Sequence, residues 1–167
     1  MKIIAWNVNG IRAVYKKGAL DAIWKQKPDI FVVNETKSHP EQLPTELQKP
    51  SDYYSYFNSA TTRKGYSGVA MYCKEKPDKV VYDFGMDDKE GRYIESHFGK
   101  LVIIGCYFPN GGGESHRLKY KLEFYDKFLE HIEKLRKKGY SIIFCGDVNV
   151  AHEEIDLARP KENEKNV

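Results

Sequence analysis

Carboxylate and amide side chains follow the ends of several short apolar runs in this sequence. They come from four separate segments, as Asn7 and Asn9, Asn34 and Glu35, Tyr107 and Asn110, and Asp147 and Asn149. If the runs are strands of an open α/β sheet, their carboxyl ends meet at the edge where such sheets bind ligands. Asn and Asp taken singly are also common turn residues. Four coincidences at strand ends therefore predict one shared site.

The residue types at these positions favour a particular metal ion. Glu35 and Asp147 offer hard carboxylate oxygens, and the amides of Asn7 and Asn149 add neutral oxygens. Such a donor set suits an octahedral Mg²⁺ that keeps several waters and reaches a phosphate. We therefore predict a Mg²⁺ site here, with Mn²⁺ as an alternative occupant and no small-molecule cofactor.

Other catalytic chemistries lack their characteristic residues. The five histidines form no HxxxH pair and no Cys/His cluster, which argues against a zinc site. There is no Gly-x-Ser-x-Gly elbow of a serine hydrolase. The glycines at 111–113 lack the Lys-Ser/Thr pair of a P-loop and are read as a flexible turn. His131 falls within a predicted helix and is expected at its surface or boundary.

The elements that must position these side chains begin at the first residues. Apolar runs alternate with helical patterns, which is typical of an α/β domain with a partly parallel sheet. Residues 3–6 predict a first strand, and residues 30–33 predict a strand covered on both faces. Between them, Ala19, Leu20, Ile23 and Trp24 lie on one face of a predicted helix that Pro28 ends. Residues 41–52 are read as a polar connection.

Further strands are predicted at residues 53–57, 67–73, 79–84, 92–98 and 101–107. The close spacing of the last four favours antiparallel hairpins that extend the sheet. Residues 115–138 repeat apolar side chains at three- and four-residue steps and precede Gly139, a suitable C-terminal cap. This pattern predicts a long helix, and residues 142–145 then repeat the pattern of a buried strand.

Composition limits the class of protein. A length of 167 residues suits one domain, and 27 basic against 24 acidic residues permit a nucleic-acid partner without requiring one. The apolar runs are too short to predict a transmembrane helix, and the N-terminus does not resemble a secretory signal. We therefore expect a cytoplasmic location, or a nuclear one in a eukaryote. Cys73, Cys106 and Cys145 have no CxxC spacing and are interpreted as buried reduced thiols.

Five motifs follow one another along the chain. They are Trp6-Asn7-Val8-Asn9-Gly10-Ile11-Arg12, Glu35-Thr36-Lys37, Gly65-Tyr66-Ser67-Gly68-Val69-Ala70, Tyr107-Phe108-Pro109-Asn110-Gly111 and Gly146-Asp147-Val148-Asn149-Val150-Ala151-His152. In this order and spacing they resemble the motifs of the exonuclease III-type apurinic/apyrimidinic endonucleases, in the endonuclease/exonuclease/phosphatase superfamily. Residues 152–157 strengthen the resemblance to the DNA-repair branch over the phosphatase branches.

The resemblance implies a two-sheet α/β sandwich with the activity of a DNA-repair nuclease. The implied enzyme depends on Mg²⁺ and hydrolyses the phosphodiester 5′ to an abasic site in double-stranded DNA, with 3′→5′ exonuclease activity as a second activity. A metal with amide donors suits that chemistry, because negative charge builds on the phosphate and on the leaving oxygen.

The resemblance also implies roles for individual residues. Glu35, with Asn7 nearby, binds the metal. Asp147 orients or deprotonates the attacking water, Asn149 stabilises the scissile phosphate, and Tyr107 acts near the phosphate or the leaving group. The implied metal ligands are Glu35, Asn7, Asp147 and Asn149, and the expected DNA contacts are Arg12, Lys37, Tyr66, Asn110 and Arg117. An exposed Arg or Lys is also commonly no more than a solvated charge.

The sequence departs from the family pattern in two places. Asn34 replaces the usual glutamine before Glu-Thr-Lys, and these 167 residues lack the terminal Ser-Asp-His-type motif. We therefore expect residues 1–167 to be the N-terminal portion of one domain of this fold, with its C-terminal part missing, and to be inactive alone. The alternatives are a noncatalytic DNA- or protein-binding fragment and another phosphodiesterase or phosphatase of the superfamily.

Overall fold

The computed structural model describes residues 1–112 and 115–163, so Gly113 of the predicted glycine turn lies outside the described residues. The strands are β1 (Ile3–Asn7), β2 (Ile30–Asn34), β3 (Tyr54–Asn58), β4 (Val69–Cys73), β5 (Lys79–Val81), β6 (Tyr93–Phe98), β7 (Leu101–Cys106) and β8 (Ser141–Cys145). The helices are α1 (Ile11–Lys16), α2 (Asp21–Lys25), α3 (Thr45–Gln48), α4 (Ser115–Lys137) and α5 (Pro160–Asn163), with 3₁₀ turns at Pro40–Gln42 and Glu154–Asp156.

The strands form two four-stranded sheets. The first has the order β1-β2-β4-β3 and the second the order β5-β6-β7-β8. β1 pairs with β2 in parallel and β7 pairs with β8 in parallel, whereas the other pairs are antiparallel. The prediction of partly parallel pairing is confirmed. The predicted antiparallel hairpins are present among residues 79–107, as β5-β6-β7. The prediction that they follow residues 67–73 and extend the first sheet is wrong, because β4 pairs with β2 and β3 while β5 belongs to the second sheet. Sequence spacing does not specify which sheet edge a strand joins.

The two sheets face each other, and helices cover their outer surfaces. Phe31 and Val33 pack under α1 to α3, while Ile30 and Val32 pack between the sheets, so the apolar run of β2 serves two cores. Successive side chains of a strand point to opposite faces, so all of them are apolar when both faces are buried. Gly105 of β7 permits the close approach, since a Cβ there would lie 2.8 Å from Val32 Cγ1. The predicted two-sheet α/β sandwich is therefore present.

The segment before β2 and the one after it contain more helix than the patterns predict. The predicted helix is confirmed as α2, with Trp24 against Phe31 at a ring separation of 5.4 Å. No pattern in the sequence predicts α1. The polar connection contains α3, whose Leu47 is buried together with Leu43. These short helices fall below the length at which a period of 3.6 residues is readable.

The predicted long helix is confirmed as α4, and a buried carboxylate ties it to the second sheet. Glu95 of β6 meets His97 Nε2 at 2.5 Å and His131 Nε2 at 2.6 Å, and the Tyr93 hydroxyl donates to it. Burial alone would raise the pKa of Glu95, but the hydrogen bonds from His131, Tyr93 and His97 lower it to about 2. As predicted, His131 lies at the boundary between the core and the surface of α4, and Glu95 is its hydrogen-bond partner. No helix within the described ranges is long and apolar enough to cross a bilayer.

β8 differs from its predicted burial. Ile143 and Phe144 remain 42% and 49% exposed, because β8 is the last strand of its sheet and pairs on one side with β7. The burial of the three cysteines also depends on whether their strand is an inner or an outer strand of its sheet. Cys73 and Cys106 are buried and free, as predicted, whereas Cys145 of β8 is free and only partly buried.

Candidate active site

Side chains from the ends of β1, β2 and β7 and from the loop after β8 meet at one point. The Asn7 amide nitrogen donates to Glu35 Oε1 at 2.9 Å and to Asp147 Oδ2 at 2.7 Å. The Tyr107 hydroxyl donates to the same Glu35 oxygen at 2.8 Å. β1 and β2 belong to one sheet and β7 and β8 to the other, so the site spans the junction between the sheets. The convergence expected from the strand ends is present.

Glu35 lies on a strained backbone that neighbouring loops support. Its φ is +55°, in the left-handed region that non-glycine residues rarely adopt, and such a conformation costs about 1–3 kcal/mol. The Gly10 amide donates to the Glu35 carbonyl at 2.8 Å, and the Thr36 amide donates to the Gly68 carbonyl at 3.1 Å. Loops on both sides therefore fix this conformation. Backbone strain of this kind is found preferentially at functional sites.

The Glu35 carboxylate carries a negative charge stabilised by three donors. Burial alone would raise the pKa of Glu35, but hydrogen bonds from Lys37, Asn7 and Tyr107 outweigh it and hold the pKa below its ordinary value. Lys37 Nζ lies 2.8 Å from Glu35 Oε2 and also donates to the Asn9 side chain. Glu35 is therefore ionised at neutral pH, as a metal ligand must be.

Tyr107 is placed to act as a neutral phenol. Burial raises its pKa to about 12, and the neighbouring Glu35 charge contributes to the rise. Beneath it lies Arg92, whose guanidinium carbon is 4.5 Å from the Tyr107 ring centroid and whose Nη1 donates to the Tyr107 carbonyl at 3.0 Å. Arg92 therefore fixes both the ring and the backbone of Tyr107. Nothing in the pattern around residue 92 distinguishes it from an exposed strand-end cation.

The loop carrying Asp147 and Asn149 is attached to both sheets. Asn34 Oδ1 accepts the Asp147 amide at 3.0 Å, and Asn34 Nδ2 donates to the Cys106 carbonyl at 3.3 Å. Gly146 makes the approach possible, because a Cβ at this residue would overlap the Cys106 carbonyl oxygen. Asn34, which the sequence marks as a strand-end residue and as a departure from the family pattern, therefore connects the two sheets under the site.

Asn149 is oriented by its neighbours in the same loop. Its backbone amide donates to Asp147 Oδ1 at 3.0 Å, and its side-chain Nδ2 donates to the Phe108 carbonyl at 2.8 Å. Its φ of +50° is again in the left-handed region. Asp147 and Asn149 thus hold a fixed relation to each other and to the end of β7.

Basic side chains flank this cluster on the side of α1. Arg12 and Lys37 line a cavity of about 420 Å³ together with Lys16 of α1. No motif in the sequence distinguishes Lys16 from other surface lysines. Since Lys37 is paired with Glu35, the exposed Arg12 and Lys16 are the cations most accessible to a phosphate on this side.

Tyr66 and Arg117 lie together beside Arg92, which underlies Tyr107. Arg117 Nη1 donates to Glu90 Oε1 at 2.7 Å, and Arg117 Nη2 donates to the Tyr66 hydroxyl at 3.3 Å. Asn110 does not join either group. Its side-chain oxygen accepts the Gly112 amide at 2.7 Å, which closes a local turn.

The donor set fits a hard divalent cation. Glu35 and Asp147 supply two carboxylates, and Mg²⁺ is usually bound by one or two carboxylates with waters completing its shell. Asn7 directs its amide nitrogen at both carboxylates and its oxygen at the Asn9 amide, 3.1 Å away. Among residues 1–112 and 115–163 no group of three His, Cys, Asp or Glu side chains is arranged to hold a metal. The two carboxylates suit a hard cation such as Mg²⁺, with waters as its remaining ligands.

The arrangement as a whole suits chemistry on a phosphate. The ionised Glu35 carboxylate, the Asp147 carboxylate, the neutral Tyr107 phenol and the Asn7 amide are joined by hydrogen bonds, next to a cavity lined by basic side chains. Amides and a phenol can donate to developing negative charge, and a carboxylate can accept a proton from water.

Curated proteins with similar sequences are named as DNA-repair nucleases. The chain is 40% identical over 169 residues to the DNA repair nuclease APEX1 of Danio rerio, covering 99% of this chain and 54% of that protein. It is 41% identical over 169 residues to an exodeoxyribonuclease of Bacillus subtilis (strain 168), covering 99% of this chain and 65% of that protein. The chain thus spans roughly half to two thirds of the length of these relatives.

A solved structure and a family comparison agree with the sequence relatives. The crystal structure of the Xenopus laevis APE2 catalytic domain matches with a TM-score of 0.80 and 28% identity, over 92% of this chain and 60% of that one. The Endonuclease/Exonuclease/phosphatase family matches residues 4–166, nearly the whole sequence. With its two sheets and the polar cluster at their junction, this chain belongs to the Endonuclease/Exonuclease/phosphatase family.

Proposed function

We propose that the chain carries the metal- and phosphate-binding half of a Mg²⁺-dependent DNA-repair nuclease that hydrolyses the phosphodiester 5′ to an abasic site. The observation that carries the proposal is the contact of Asn7 with both Glu35 and Asp147, which joins carboxylates from two sheets. The relatives, named as a DNA repair nuclease and an exodeoxyribonuclease, support DNA as the substrate. By the same resemblance, 3′→5′ exonuclease activity is a second activity of the site.

Glu35 and Asp147 are the residues that would hold Mg²⁺, with Asn7 and Asn149 beside them. When bound, the cation supplies positive charge at the phosphate oxygens and at the leaving 3′ oxygen. Lys37 keeps Glu35 ionised, so this ligand needs no deprotonation before the metal binds. Asn7 holds the two carboxylates in a fixed relation.

Asp147 is the proposed base for water. Asn7 and the Asn149 amide occupy one hydrogen-bond position on each of its oxygens, so the carboxylate is oriented before substrate arrives. A carboxylate has further lone pairs for a water molecule. Asn149, on the same loop, donates to the scissile phosphate, and Tyr107 keeps its proton near the phosphate or the leaving group because its pKa is about 12.

Basic side chains near the cluster are the proposed contacts to the DNA backbone. Arg12 and Lys16 line the cavity that Lys37 shares, and Arg117, which is paired with Glu90, lies beside Tyr66. Contacts of this kind position a duplex through its phosphates without reading its sequence. Asn110 contributes only if its turn opens, since its side chain is used by Gly112.

The proposal is tested on the chain itself and on a fusion in which the C-terminal portion of the Bacillus subtilis exodeoxyribonuclease follows residue 167, called here the extended protein. Each is incubated with abasic duplex, intact duplex and small phosphate esters, with Mg²⁺ or with a chelator. We expect the extended protein to cleave abasic duplex preferentially and to need Mg²⁺. Cleavage of phosphate esters alone would indicate a phosphatase, and DNA binding without cleavage would indicate a noncatalytic module.

Asp147→Asn isolates the proposed base, because it keeps the size of the side chain and removes its charge. The rate of cleavage should fall by about 10²–10⁴-fold, the usual contribution of a general base. Asp126→Asn on the exposed face of α4 is the matched control and should leave the rate unchanged. A rate for Asp147→Asn within a fewfold of the unaltered protein would refute the role.

A further inference from the structure

One side of α4 contacts the loop that carries the proposed base, and the proposed mechanism does not use these contacts. The Tyr125 hydroxyl donates to the Val148 carbonyl at 2.6 Å, and Lys121 Nζ donates to the Asn149 carbonyl at 3.0 Å. Two side chains one helical turn apart thus bind two consecutive carbonyls of the loop.

The bond from Tyr125 fixes the peptide group whose amide touches Asp147. Because a trans peptide is planar, the Val148 carbonyl and the Asn149 amide point in opposite directions. The carbonyl faces the Tyr125 hydroxyl, and the amide donates to Asp147 Oδ1 at 3.0 Å. A hydrogen bond at the carbonyl also polarises the amide, which strengthens the bond to the carboxylate.

Lys121 is unusual for a lysine, since it is only 4% exposed. Burial lowers its pKa. Within the described residues no carboxylate lies within 4.0 Å of its ammonium, and the Asn149 carbonyl is the oxygen to which Nζ donates. Burying an ammonium costs free energy unless hydrogen bonds compensate for the lost water. Packing alone therefore does not explain why Lys121 is buried against the Asn149 carbonyl.

The helix that carries these two residues is itself well fixed. His131 binds the buried Glu95, and Phe124 and Phe128 lie in the core beneath α4. The Tyr125 ring also stacks on the Phe108 ring at a centroid distance of 4.9 Å, and the Phe108 carbonyl accepts a hydrogen bond from the Asn149 side chain. A loop attached to a rigid helix keeps its reactive groups closer to their productive geometry than a free loop does.

We propose that Tyr125 and Lys121 are positioning residues, which orient Asp147 and Asn149 through the carbonyls of residues 148 and 149. The proposal rests on the function proposed above for Asp147 and Asn149. Neither α4 residue touches the substrate. Their contribution is to hold the loop in its reactive conformation before DNA binds.

The test compares Tyr125→Phe with Tyr120→Phe. Both remove a partly buried hydroxyl from α4, but the Tyr120 hydroxyl donates to Asp88, whereas the Tyr125 hydroxyl donates to the loop. In the extended protein, Tyr125→Phe should lower kcat about 10-fold, as is usual for groups that orient reactive side chains, with KM within about twofold. Tyr120→Phe should leave kcat unchanged. Equal losses of kcat in the two variants, or no loss in Tyr125→Phe, would overturn the proposal.

Lys121 is tested by a conservative rescue. Lys121→Met keeps the aliphatic stem and removes the ammonium, whereas Lys121→Arg restores a donor that reaches the carbonyl. We expect kcat to fall in the methionine variant and to recover largely in the arginine variant. An arginine variant as slow as the methionine variant, with the same melting temperature, would exclude a role for the hydrogen bond.

A second measurement does not depend on cleavage. Hydrogen exchange of the Asn149 amide, followed by NMR in the 167-residue chain, should be about fivefold faster in Tyr125→Phe than in Tyr120→Phe, the effect of losing one hydrogen bond. If the unaltered extended protein does not cleave DNA, the proposed function fails while this exchange rate still decides whether α4 holds the loop. Unchanged exchange in Tyr125→Phe would overturn the positioning role by itself.

Discussion

Arg92 is among the largest fully buried side chains of the protein, with 1% of its surface exposed, and its charge is balanced by Glu90. Arg92 Nε donates to Glu90 Oε2 at 2.7 Å. Burial alone would lower the pKa of Arg92, but the Glu90 charge outweighs it and raises that pKa. The pair also holds Tyr107 through the Arg92 contacts to its ring and carbonyl. Loss of the Glu90 charge should therefore destabilise the fold next to the candidate site.

Glu90→Gln is the informative change, since it keeps the side-chain shape and removes the charge. Breaking a buried ion pair by removing one partner costs about 3–5 kcal/mol, because it leaves the other charge uncompensated. Arg92 keeps two carbonyl acceptors, at 3.0 Å and 3.3 Å, and Glu90 is 17% exposed. These features favour the lower end, about 3 kcal/mol, which corresponds to a fall in Tm of about 6–12 °C for a chain of this size.

The assay is equilibrium unfolding in urea and by heat, followed by circular dichroism at neutral pH. Glu130→Gln is the matched control, because Glu130 pairs with Lys134 at the same 2.7 Å but both partners are more than half exposed. An exposed pair is worth about 0–1 kcal/mol, so the control should lose little stability. Removing the second charge with Arg92→Met in the Glu90→Gln background should cost less than Arg92→Met alone. Similar losses in Glu90→Gln and Glu130→Gln would refute the reasoning.

Two further predictions concern acid stability and association. The Glu95 pKa lies at about 2 in the folded chain against an ordinary 4.5, so its stabilisation is present above pH 4.5 and is lost as the pH falls toward 2. The stability advantage over Glu95→Gln should be about 3 kcal/mol at pH 7 and shrink across that window in urea titrations, and an advantage independent of pH would contradict the assignment. Because Ile143 and Phe144 are exposed on the outer strand, the 167-residue chain should self-associate in sedimentation experiments, and Ile143→Lys should reduce the association. A chain that stays monomeric at every concentration would count against this.

Local patterns predict those parts of the fold in which one segment carries the whole signal. The two-sided apolar run of β2 and the long amphipathic α4 are both present. So is the convergence of Asn7 and Glu35, since β1 and β2 pair in parallel and their carboxyl ends lie at one edge. Asp147 follows β8 of the other sheet and meets Asn7 only because the two sheets pack together. The short helices and the burial of β8 are less predictable. A four-residue helix has little periodicity, and the burial of a strand depends on whether a second neighbour pairs with it.

The amino-acid sequence by itself determines which groups can do chemistry and where along each strand they stand. It fixes Glu35 after one strand and Asp147 after another, because strand alternation and the polar residues that end a run are local properties. Only the tertiary structure decides what surrounds them. That Asn34 joins the sheets, that Arg92 lies beneath Tyr107, and that Tyr125 binds the loop after β8 depend on segments far apart in the chain. Such contacts arise from the packing of whole elements against one another, and no periodicity within a single element records them.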